Sequence, residues 1–308
     1  MWIVFVIVGA FLFVSILMFF SALFFLYRGT FYSPLKGQDD DFKMAGPQYG
    51  GFEKQVNDLV TNIRSIPYED AYIQSFDKLK LHAFVYPKEG SKKVAIMCHG
   101  YRGTARRDFS GQGPEMLRLG ISVILIDERA HGQSEGHSIT FGLKEQKDVL
   151  SWVKYAKERF GEDVEIILCG ISMGGATVLF CADQIENAKI LADCPFVSPE
   201  ALLRNTIVNM KLNPTICFPL LNLSSIIFGH ANMKKEGASK HVTNSKNNKI
   251  LIIHGDNDTL VPHKMTEALY EANKDKIQYE LFPGATHGMS YLYDTPRYKK
   301  VVEEFINK

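Results

Sequence analysis

The sequence lacks any charged residue between Trp2 and Leu26, and the only polar side chains in that stretch are those of Ser15 and Ser21. About 20 consecutive apolar residues suffice for a helix to cross a bilayer. The chain starts without Lys or Arg, and its apolar run is longer than the core of a cleaved signal peptide. These absences argue against a cleaved leader, so we predict a retained single-pass transmembrane anchor over residues 1–28.

The sequence also gives no indication of disulfide bonds or of a cysteine metal site. The five cysteines are odd in number, and no two of them have the CxxC spacing of a metal or redox site. We therefore predict five free thiols, which favour a reducing compartment. Arg28 and Lys36 are the first positive charges, and both come after the predicted span. By the positive-inside rule, this too predicts a cytoplasmic domain after the anchor.

The chain carries no large excess of charge of either sign, with 35 Lys and Arg residues against 34 Asp and Glu residues. This balance gives no reason to expect nucleic acid or another polyanion as a partner. The sequence also contains no internal repeat and no low-complexity tract. The chain beyond the apolar start is about the size of one large α/β domain.

Strand-like and helix-like segments alternate after residue 66, whereas residues 29–65, punctuated by glycine and proline, are predicted to be a juxtamembrane linker and approach segment. The alternation indicates a mostly parallel sheet with helices on both faces. The apolar run at 196–242 interrupts it, and we predict a helical insertion there, the alternative being ordinary covering helices. The predicted strands are Ala71–Ser75, Leu79–Tyr86, Val94–Met97, Ile121–Ile126, Val164–Cys169, Ile190–Ala192, Ile250–Ile253 and Gln278–Phe282.

The segment Gly170-Ile171-Ser172-Met173-Gly174 matches the pattern GxSxG and lies between a predicted strand and a predicted helix. A sharp strand-to-helix turn crowds its own backbone, which requires glycine on both sides of the serine, and it lifts the hydroxyl above the sheet. The turn also puts Ser172 at a helix N-terminus, where the helix dipole favours a developing anion. We predict that Ser172 is a nucleophile; the alternative is a serine that only caps the helix.

A serine hydroxyl needs a base, and after this kind of turn the acid and then the histidine come later in the chain. His287 lies in a loop of small residues, 284–288, directly after the last predicted strand, and we predict that it is the base. Asp258 fits the usual acid loop after the preceding strand. Two alternatives remain open for the acid: Asp256, which we expect to bond its own turn, and Asp193, which also ends a predicted strand.

An oxyanion formed at the reacting carbonyl needs two backbone N–H groups. We predict one from Met173, which comes directly after the nucleophile, and the other from Tyr101 in the loop after the third strand. Gly100 and Gly103 lie on either side of Tyr101 and allow close approach of the backbone. The polar loop 127–134 comes after another strand and is predicted to shape the site without contacting the reacting carbon.

Together these segments resemble α/β-hydrolases of the serine aminopeptidase-like and bacterial membrane-associated esterase group. The resemblance covers about residues 66–308 and implies an eight-stranded sheet, a Ser-Asp-His triad, a lid at residues 196–242 after the sixth strand, and neither a metal nor an organic cofactor. It leaves the substrate open, because members cleave esters, thioesters, amides and peptides. The segments that carry it are His99-Gly100-Tyr101, Asp127-x-Arg129-x-His131-Gly132-x-Ser134, Gly170-x-Ser172-x-Gly174-Gly175, Gly255-x-x-Asp258-x-x-Val261-Pro262 and His287-Gly288.

On this basis we predict a membrane-anchored serine hydrolase of the carboxylesterase or lipase kind, which cleaves an ester through an acyl-enzyme. The apolar insertion suits an apolar acyl chain, with a small ester, a lipid or a peptide as the candidate substrates. A peptidase or amidase of the same fold and a non-catalytic membrane-tethered binding protein are the alternatives. The sequence leaves the oligomeric state open.

Overall fold

A 29-residue apolar helix, α1 (Trp2–Thr30), begins the chain in the computed structural model, which describes residues 1–33 and 50–308. Every residue before Leu23 is exposed, whereas Leu23 and Tyr27 are buried against the rest of the molecule. Helix α1 is long and apolar enough to cross a membrane, and it runs two residues past the predicted end of the anchor at residue 28.

The predicted linker contains a second helix, α2 (Glu53–Ser65). Its buried residues Val56, Val60 and Ile63 are spaced four and three apart, as on one face of an amphipathic helix. The segment is therefore more than a connection, because this face packs against the domain after it. The rest of the predicted linker, residues 34–49, lies outside the described residues.

Eight strands form one sheet in the order β1-β2-β4-β3-β5-β6-β7-β8. Strand β2 pairs antiparallel with β1 and β4, and the other five pairs are parallel. The predicted eight-stranded, mostly parallel sheet is thus confirmed. The strands are β1 (Glu69–Gln74), β2 (Lys80–Tyr86), β3 (Lys93–Cys98), β4 (Ser122–Ile126), β5 (Glu165–Ile171), β6 (Lys189–Asp193), β7 (Lys249–Gly255) and β8 (Ile277–Phe282).

Helices cover both faces of the sheet, as predicted, and each face has its own core. Trp152 and Phe180 belong to one core, and Phe109 and Tyr298 belong to the other. The remaining helices are α3 (Ala105–Asp108), α4 (Gln112–Arg118), α5 (Glu145–Phe160), α6 (Met173–Phe180), α7 (Pro199–Asn209), α8 (Pro214–Ser224), α9 (Ala238–Thr243), α10 (Lys264–Glu271), α11 (Ser290–Tyr293) and α12 (Thr295–Asn307).

The insertion between β6 and β7 is helical, consisting of α7, α8, a π-helical turn (Ser225–Gly229) and α9. Ser198 and Asn213 cap α7 and α8 with their side chains, and a proline comes directly after each cap, which is a strong signal for a helix start. The ring of Phe228 lies 5.4 Å from that of Phe24, between centroids, so the insertion is packed against the end of α1. Its role as a lid stays a prediction.

Candidate active site

Ser172 lies in the sharp turn between β5 and α6, with φ +54° and ψ −110°. A positive φ is strained for a residue with a side chain, and such strain is concentrated at functional sites. A Cβ on Gly170 would overlap the carbonyl of Gly174, and one on Gly174 would overlap that of Cys98. Both flanking positions of the turn therefore require glycine, for the reason that the sequence suggested.

The structure brings Ser172, His287 and Asp258 together although they are far apart in the chain. The Ser172 Oγ is 2.8 Å from His287 Nε2, and His287 Nδ1 is 2.7 Å from Asp258 Oδ2. The other carboxylate oxygen of Asp258 accepts hydrogen bonds from the backbone N–H groups of Leu260 and Val261, at 3.0 and 2.8 Å. A nucleophile, a base and an orienting acid would have this arrangement.

The carboxyl group of Asp258 is held in its ionised form. Burial alone would raise its pKa, but hydrogen bonds with His254 and His287 and with the Val261 N–H outweigh burial and keep the pKa below its usual value. His254 is itself fixed, because Nε2 lies 2.8 Å from the Val261 carbonyl and Nδ1 lies 2.9 Å from Thr266 Oγ1. An ionised Asp258 accepts the Nδ1–H of His287, which leaves Nε2 to accept the Ser172 proton.

The two alternative acids have other partners. Asp256 is exposed, and its carboxylate accepts the Gly284 N–H at 2.6 Å, so it bonds the loop after β8 and not its own turn as we predicted. Asp193 is buried beneath the site, 3.5 Å from the hydroxyl of Ser290, and forms no hydrogen bond with His287 in the described part of the chain. Burial raises the pKa of Asp193 to about 6. The geometry therefore favours Asp258.

The loop after β3 lies against the nucleophile. A Cβ on Gly100 would lie 3.6 Å from the Cβ of Ser172. The Tyr101 N–H donates to no acceptor within residues 1–33 and 50–308. Met173 is the first residue of α6, so its N–H has no acceptor within the helix. Within the described part of the chain, neither N–H group has an acceptor, so both can donate to an oxygen atom of a substrate.

Two side chains that the sequence did not single out hold this loop. Asp108 accepts the Gly100 N–H at 2.9 Å and pairs with Arg107 at 3.0 Å. These residues lie in α3, a one-turn helix with no sequence signal of its own. Their role depends on the contact with Gly100, eight residues earlier, which no spacing rule predicts.

The loop 127–134 supports the Tyr101 loop from the other side, in keeping with the prediction that it shapes the site. His131 Nε2 accepts the Arg102 N–H at 3.2 Å, and His99 Nε2 accepts the Glu128 N–H at 3.1 Å. Burial lowers the pKa of His131 to about 3, so its ring is neutral and can accept a hydrogen bond at neutral pH. Arg129 is also buried and pairs with Asp148 at 2.6 Å, which ties the loop to α5.

A cavity of about 910 Å³, including its open mouth, lies beside Ser172 and His287. Its charged lining residues besides the histidine are Arg107 and Asp108, and these pair with each other. None of the lining residues comes from the predicted lid at 196–242; the cover on this side comes from α2. The apolar lining residues are Val56, Leu59, Ile171, Leu260, Met289 and Leu292.

A metal ion fits this site poorly. Ligand atoms of Cys194, Asp258 and His287 lie within 4.8 Å of one another. However, Asp258 and His287 already bond to each other, and burial raises the pKa of the Cys194 thiol well above its usual value. A protonated thiol is not the thiolate that metals bind.

Comparison with known proteins identifies the superfamily. A model described as serine aminopeptidase, S33, matches residues 89–221, which include Ser172. The Pyrococcus furiosus esterase Pf2001 is similar in structure, with a TM-score of 0.62 and 26% identity, over 82% of this chain and 94% of the esterase. This chain belongs to the α/β-hydrolase superfamily. The hydrolase is similar to that esterase over nearly the whole length of the esterase.

Curated relatives of the hydrolase are similar to it over most of its length. It is 26% identical to the uncharacterized protein YqkD of Bacillus subtilis, over 76% of this chain and 82% of that one. It is 28% identical to the uncharacterized membrane protein YNL320W of Saccharomyces cerevisiae, over 79% and 81%. It is also 23% identical to the Danio rerio lysophosphatidylserine lipase ABHD12, over 71% of this chain and 59% of the lipase.

Proposed function

We propose that this protein is a membrane-anchored serine hydrolase that cleaves a carboxylic ester with an apolar acyl chain. The observation that carries the proposal is the hydrogen-bonded series from Ser172 through His287 to Asp258 at the wall of a mainly apolar cavity. In the proposed organisation, residues 1–28 form the anchor, residues 29–65 lead to the domain, and residues 66–308 form the hydrolase domain on the cytoplasmic side.

The first half of the proposed reaction acylates the serine. His287 Nε2 takes the proton of Ser172 Oγ as the hydroxyl attacks the ester carbonyl carbon. The ionised carboxylate of Asp258 stabilises the imidazolium that forms. The N–H groups of Met173 and Tyr101 bind the oxyanion, and the loss of one such donor typically costs about 10²- to 10³-fold in kcat. When the intermediate collapses, His287 gives its proton to the leaving alcohol.

The second half returns the enzyme to its starting state. Water enters the space that the alcohol has left, and His287 takes a proton from it as it attacks the acyl-enzyme. The same two N–H groups bind the second oxyanion, and the proton returns to Ser172 as the carboxylic acid leaves. Every proton transfer thus uses the one Nε2 atom that lies 2.8 Å from the serine oxygen.

The lining of the cavity supports an apolar acyl chain over a peptide with a free amino terminus. Val56 and Leu59 of α2 and Leu260 present apolar surface to the cavity. An aminopeptidase needs an unpaired carboxylate for the substrate ammonium, but Asp108 is already bonded to Arg107 and to the Gly100 N–H. The similarity to a relative named as a lysophosphatidylserine lipase is in keeping with an acyl ester.

Covalent labelling tests the nucleophile. Full-length protein in detergent is treated with a fluorophosphonate probe, which reacts with activated serine hydroxyls. We expect labelling of the parent and none of the Ser172→Ala variant. Ser110→Ala is the matched control, because Ser110 lines the same cavity but forms no hydrogen bond with His287. Labelling that persists in Ser172→Ala would refute the nucleophile, and folded parent protein that never labels would favour the non-catalytic binding role.

A series of p-nitrophenyl esters tests the acyl-binding role of the cavity. Leu59 of α2 lines it, and replacing Leu59 with tryptophan fills part of the space. We expect the parent to prefer medium or long acyl chains and Leu59→Trp to shift the preference to shorter ones, with acetate hydrolysis nearly unchanged. Equal hydrolysis of all chain lengths by both proteins would instead remove the support for an apolar acyl chain. Faster cleavage of aminoacyl anilides than of esters would favour the peptidase alternative.

A further inference from the structure

Helices α7 and α8 and the turns beside them expose apolar side chains to solvent. Six of these side chains, named here together as the apolar face, expose between 38 and 64% of their surface. From Asn205 to Phe228 the chain carries only one charged side chain, that of Lys211. Contiguous exposed apolar surface usually marks contact with a protein or a membrane. The apolar face consists of Val208, Met210, Leu212, Ile216, Leu220 and Ile226.

The apolar face adjoins the end of α1. Phe228, two residues after Ile226, has its ring 5.4 Å from that of Phe24 and 5.7 Å from that of Tyr27. Helix α1 also packs along α8 itself. The exposed apolar turns of α1 thus begin next to the helix that carries Ile216 and Leu220 of the apolar face.

The length of α1 fixes the height of the apolar face relative to a bilayer. The exposed part from Trp2 to Ala22 has roughly 21 residues and is about 32 Å long. The hydrocarbon core of a bilayer is about 30 Å thick. The exposed part of α1 is therefore just long enough to cross the hydrocarbon core, and the next residue, Leu23, is already buried against the domain. No spacer remains to lift the domain off the membrane surface.

The residues at this level are those that favour the boundary between lipid and water. Arg28 is exposed, and its guanidinium is 4.0 Å from the centre of the partly exposed Tyr32 ring. Tyrosine and arginine next to a span act as interfacial anchors. Lys211 stands alone within the apolar face, and a lysine can extend its ammonium group toward lipid headgroups while its stem stays in apolar surroundings.

The apolar face also reaches the mouth of the cavity. The side chains of Asn205 and Asn209 donate to the carbonyls of Leu260 and Thr259, at 3.0 and 3.1 Å. These bonds hold the end of α7, with Val208, next to Leu260. Leu260 is 42% exposed and at the same time lines the cavity beside Ser172.

We infer that the apolar face lies in the headgroup layer of the bilayer that α1 spans, and that the cavity draws its ester from the membrane surface. The inference rests on the proposed function and names the source of the substrate, an amphiphile embedded in lipid. The apolar acyl chain passes from the bilayer along the apolar face and Leu260 into the cavity without crossing water. The free energy of the interface then comes from burial of apolar area as well as from the span.

Fluorescence in lipid nanodiscs with one full-length protein each tests the position of the apolar face. Cys217 is the only partly exposed cysteine, the other four being buried, so a Cys217→Ala background permits labelling at a single new site. An environment-sensitive NBD label is attached to Met210→Cys or Ile216→Cys. Lys300→Cys on α12 is the control, because Lys300 is exposed and lies outside the insertion and α1.

We expect blue-shifted emission at Met210→Cys and Ile216→Cys and quenching there by doxyl-labelled lipid. At Lys300→Cys we expect quenching by aqueous iodide instead. Equal iodide quenching at all three sites would overturn the inference. A blue shift without lipid quenching would also overturn it, because another protein surface would then be covering the face.

Catalysis gives a second, independent readout. The double variant Met210→Glu, Ile216→Glu changes two exposed residues that do not line the cavity. We expect its rate on a soluble short-chain ester to stay within about twofold of the parent rate. Its rate on a long-chain ester embedded in nanodiscs should fall at least tenfold. The control variant Lys300→Glu should change neither rate. Equal loss on both substrates, or loss on neither, would overturn the inference. Failure of the proposed function is distinguishable, because fluorophosphonate labelling would then be absent while the NBD result would stand.

Discussion

Asp258 is the residue on which the arrangement around Ser172 depends most. One carboxylate oxygen binds His287, and the other binds the N–H groups of Leu260 and Val261, so that the side chain cannot rotate without losing three hydrogen bonds. Hydrogen bonds with His254, His287 and the Val261 N–H outweigh burial and hold the pKa of Asp258 below its usual value. The orientation of His287 and its tautomer are therefore set by one fixed anion.

Asp258→Asn tests this dependence. An amide N–H in place of the anion would favour the tautomer with the proton on Nε2, which cannot take a proton from Ser172. We expect kcat to fall by roughly 10⁴-fold with little change in fold, the size of effect typical for the acid of a serine triad. Asp256→Asn, an exposed residue of the same loop, is the control and should change kcat less than about threefold. Equal losses in both variants would refute the assignment.

Asp193→Asn tests the cost of a buried carboxylate. Burial raises the folded-state pKa of Asp193 to about 6, from an ordinary value near 3.8. The penalty for burying the ionised carboxylate is therefore complete above pH 6 and absent below about pH 4, where the group is protonated in both the folded and the unfolded state. We expect the variant to be more stable than the parent by about 2–3 kcal/mol at pH 8, with the difference vanishing by pH 4. Urea unfolding at several pH values measures it. A difference that does not depend on pH would contradict the expectation.

At the scale of single residues, the sequence predicts only those candidate site residues that lie in a recognisable local motif. Ser172 is recognisable because glycines must surround it, and His287 because its loop of small residues comes directly after the last strand. Asp108 is not recognisable, since its contact with Gly100 exists only after α3 has folded back on the loop. Arg107 is not recognisable in the sequence either, because its partner is Asp108.

Among the elements, α1 is connected to the loop after β3 by direct hydrogen bonds. The Tyr101 hydroxyl donates to the Thr30 carbonyl at 2.8 Å, and the Arg102 guanidinium donates to the Gly29 carbonyl at 2.9 Å. The last carbonyls of a helix have no partner within it, so these side chains complete α1. Tyr101 thus belongs to the proposed oxyanion site and also holds the end of the proposed anchor.

Tyr101→Phe separates the two roles of that residue, because it keeps the backbone N–H and removes only the bond to Thr30. We expect kcat for a soluble ester to fall about 3- to 10-fold with an unchanged KM, since a less firmly held loop weakens binding of the oxyanion more than binding of substrate. Steady-state kinetics in detergent measures the effect. Tyr72→Phe loses an exposed hydroxyl bond to Gln133 and is the control. A kcat equal to that of the parent would show that the bond does not position the loop.

Helix α2 shows why an element can be missed. Glycines and prolines punctuate the segment 29–65, and they predict a linker, although Val56, Val60 and Ile63 have helical spacing. That short apolar pattern does not show in the sequence what the helix packs against, and only the folded structure shows that α2 covers the cavity. The insertion at 196–242 is the converse case: its helices are predicted by their apolar content, whereas their position against α1 is a tertiary fact.

For the whole molecule, the order of strands and helices in the sequence predicts the sheet, because apolar strands that alternate with helices pair in parallel. The way in which α1 joins the domain cannot be deduced from that order. Tyr27 and Phe31 belong to the same core as Trp152 and Phe180, on one face of the sheet. The helix therefore has two parts, an exposed apolar part and a part that completes the core.

Two truncations distinguish these parts. A chain that begins at residue 23 loses only exposed residues, whereas one that begins at residue 34 also loses Leu23, Tyr27 and Phe31, which are 1, 6 and 0% exposed. Each such side chain contributes about 1.5–3 kcal/mol when buried, and a typical domain has only about 5–15 kcal/mol in total. We expect the chain that begins at residue 23 to have the same free energy of unfolding as the parent. The chain that begins at residue 34 should have a free energy of unfolding that is several kcal/mol lower.

Fluorescence gives a direct measurement of that loss. The chain has two tryptophans, and both truncations remove Trp2, which leaves the fully buried Trp152 as the only one. Trp152 lies in the core that Tyr27 and Phe31 complete, so its red shift in urea reports unfolding of the part of the molecule in question. Identical urea midpoints for the two truncations would mean that the end of α1 only rests on the domain. In that case its bonds to Tyr101 and Arg102 would also be too weak to hold the oxyanion loop, and the Tyr101→Phe variant should then behave like the parent.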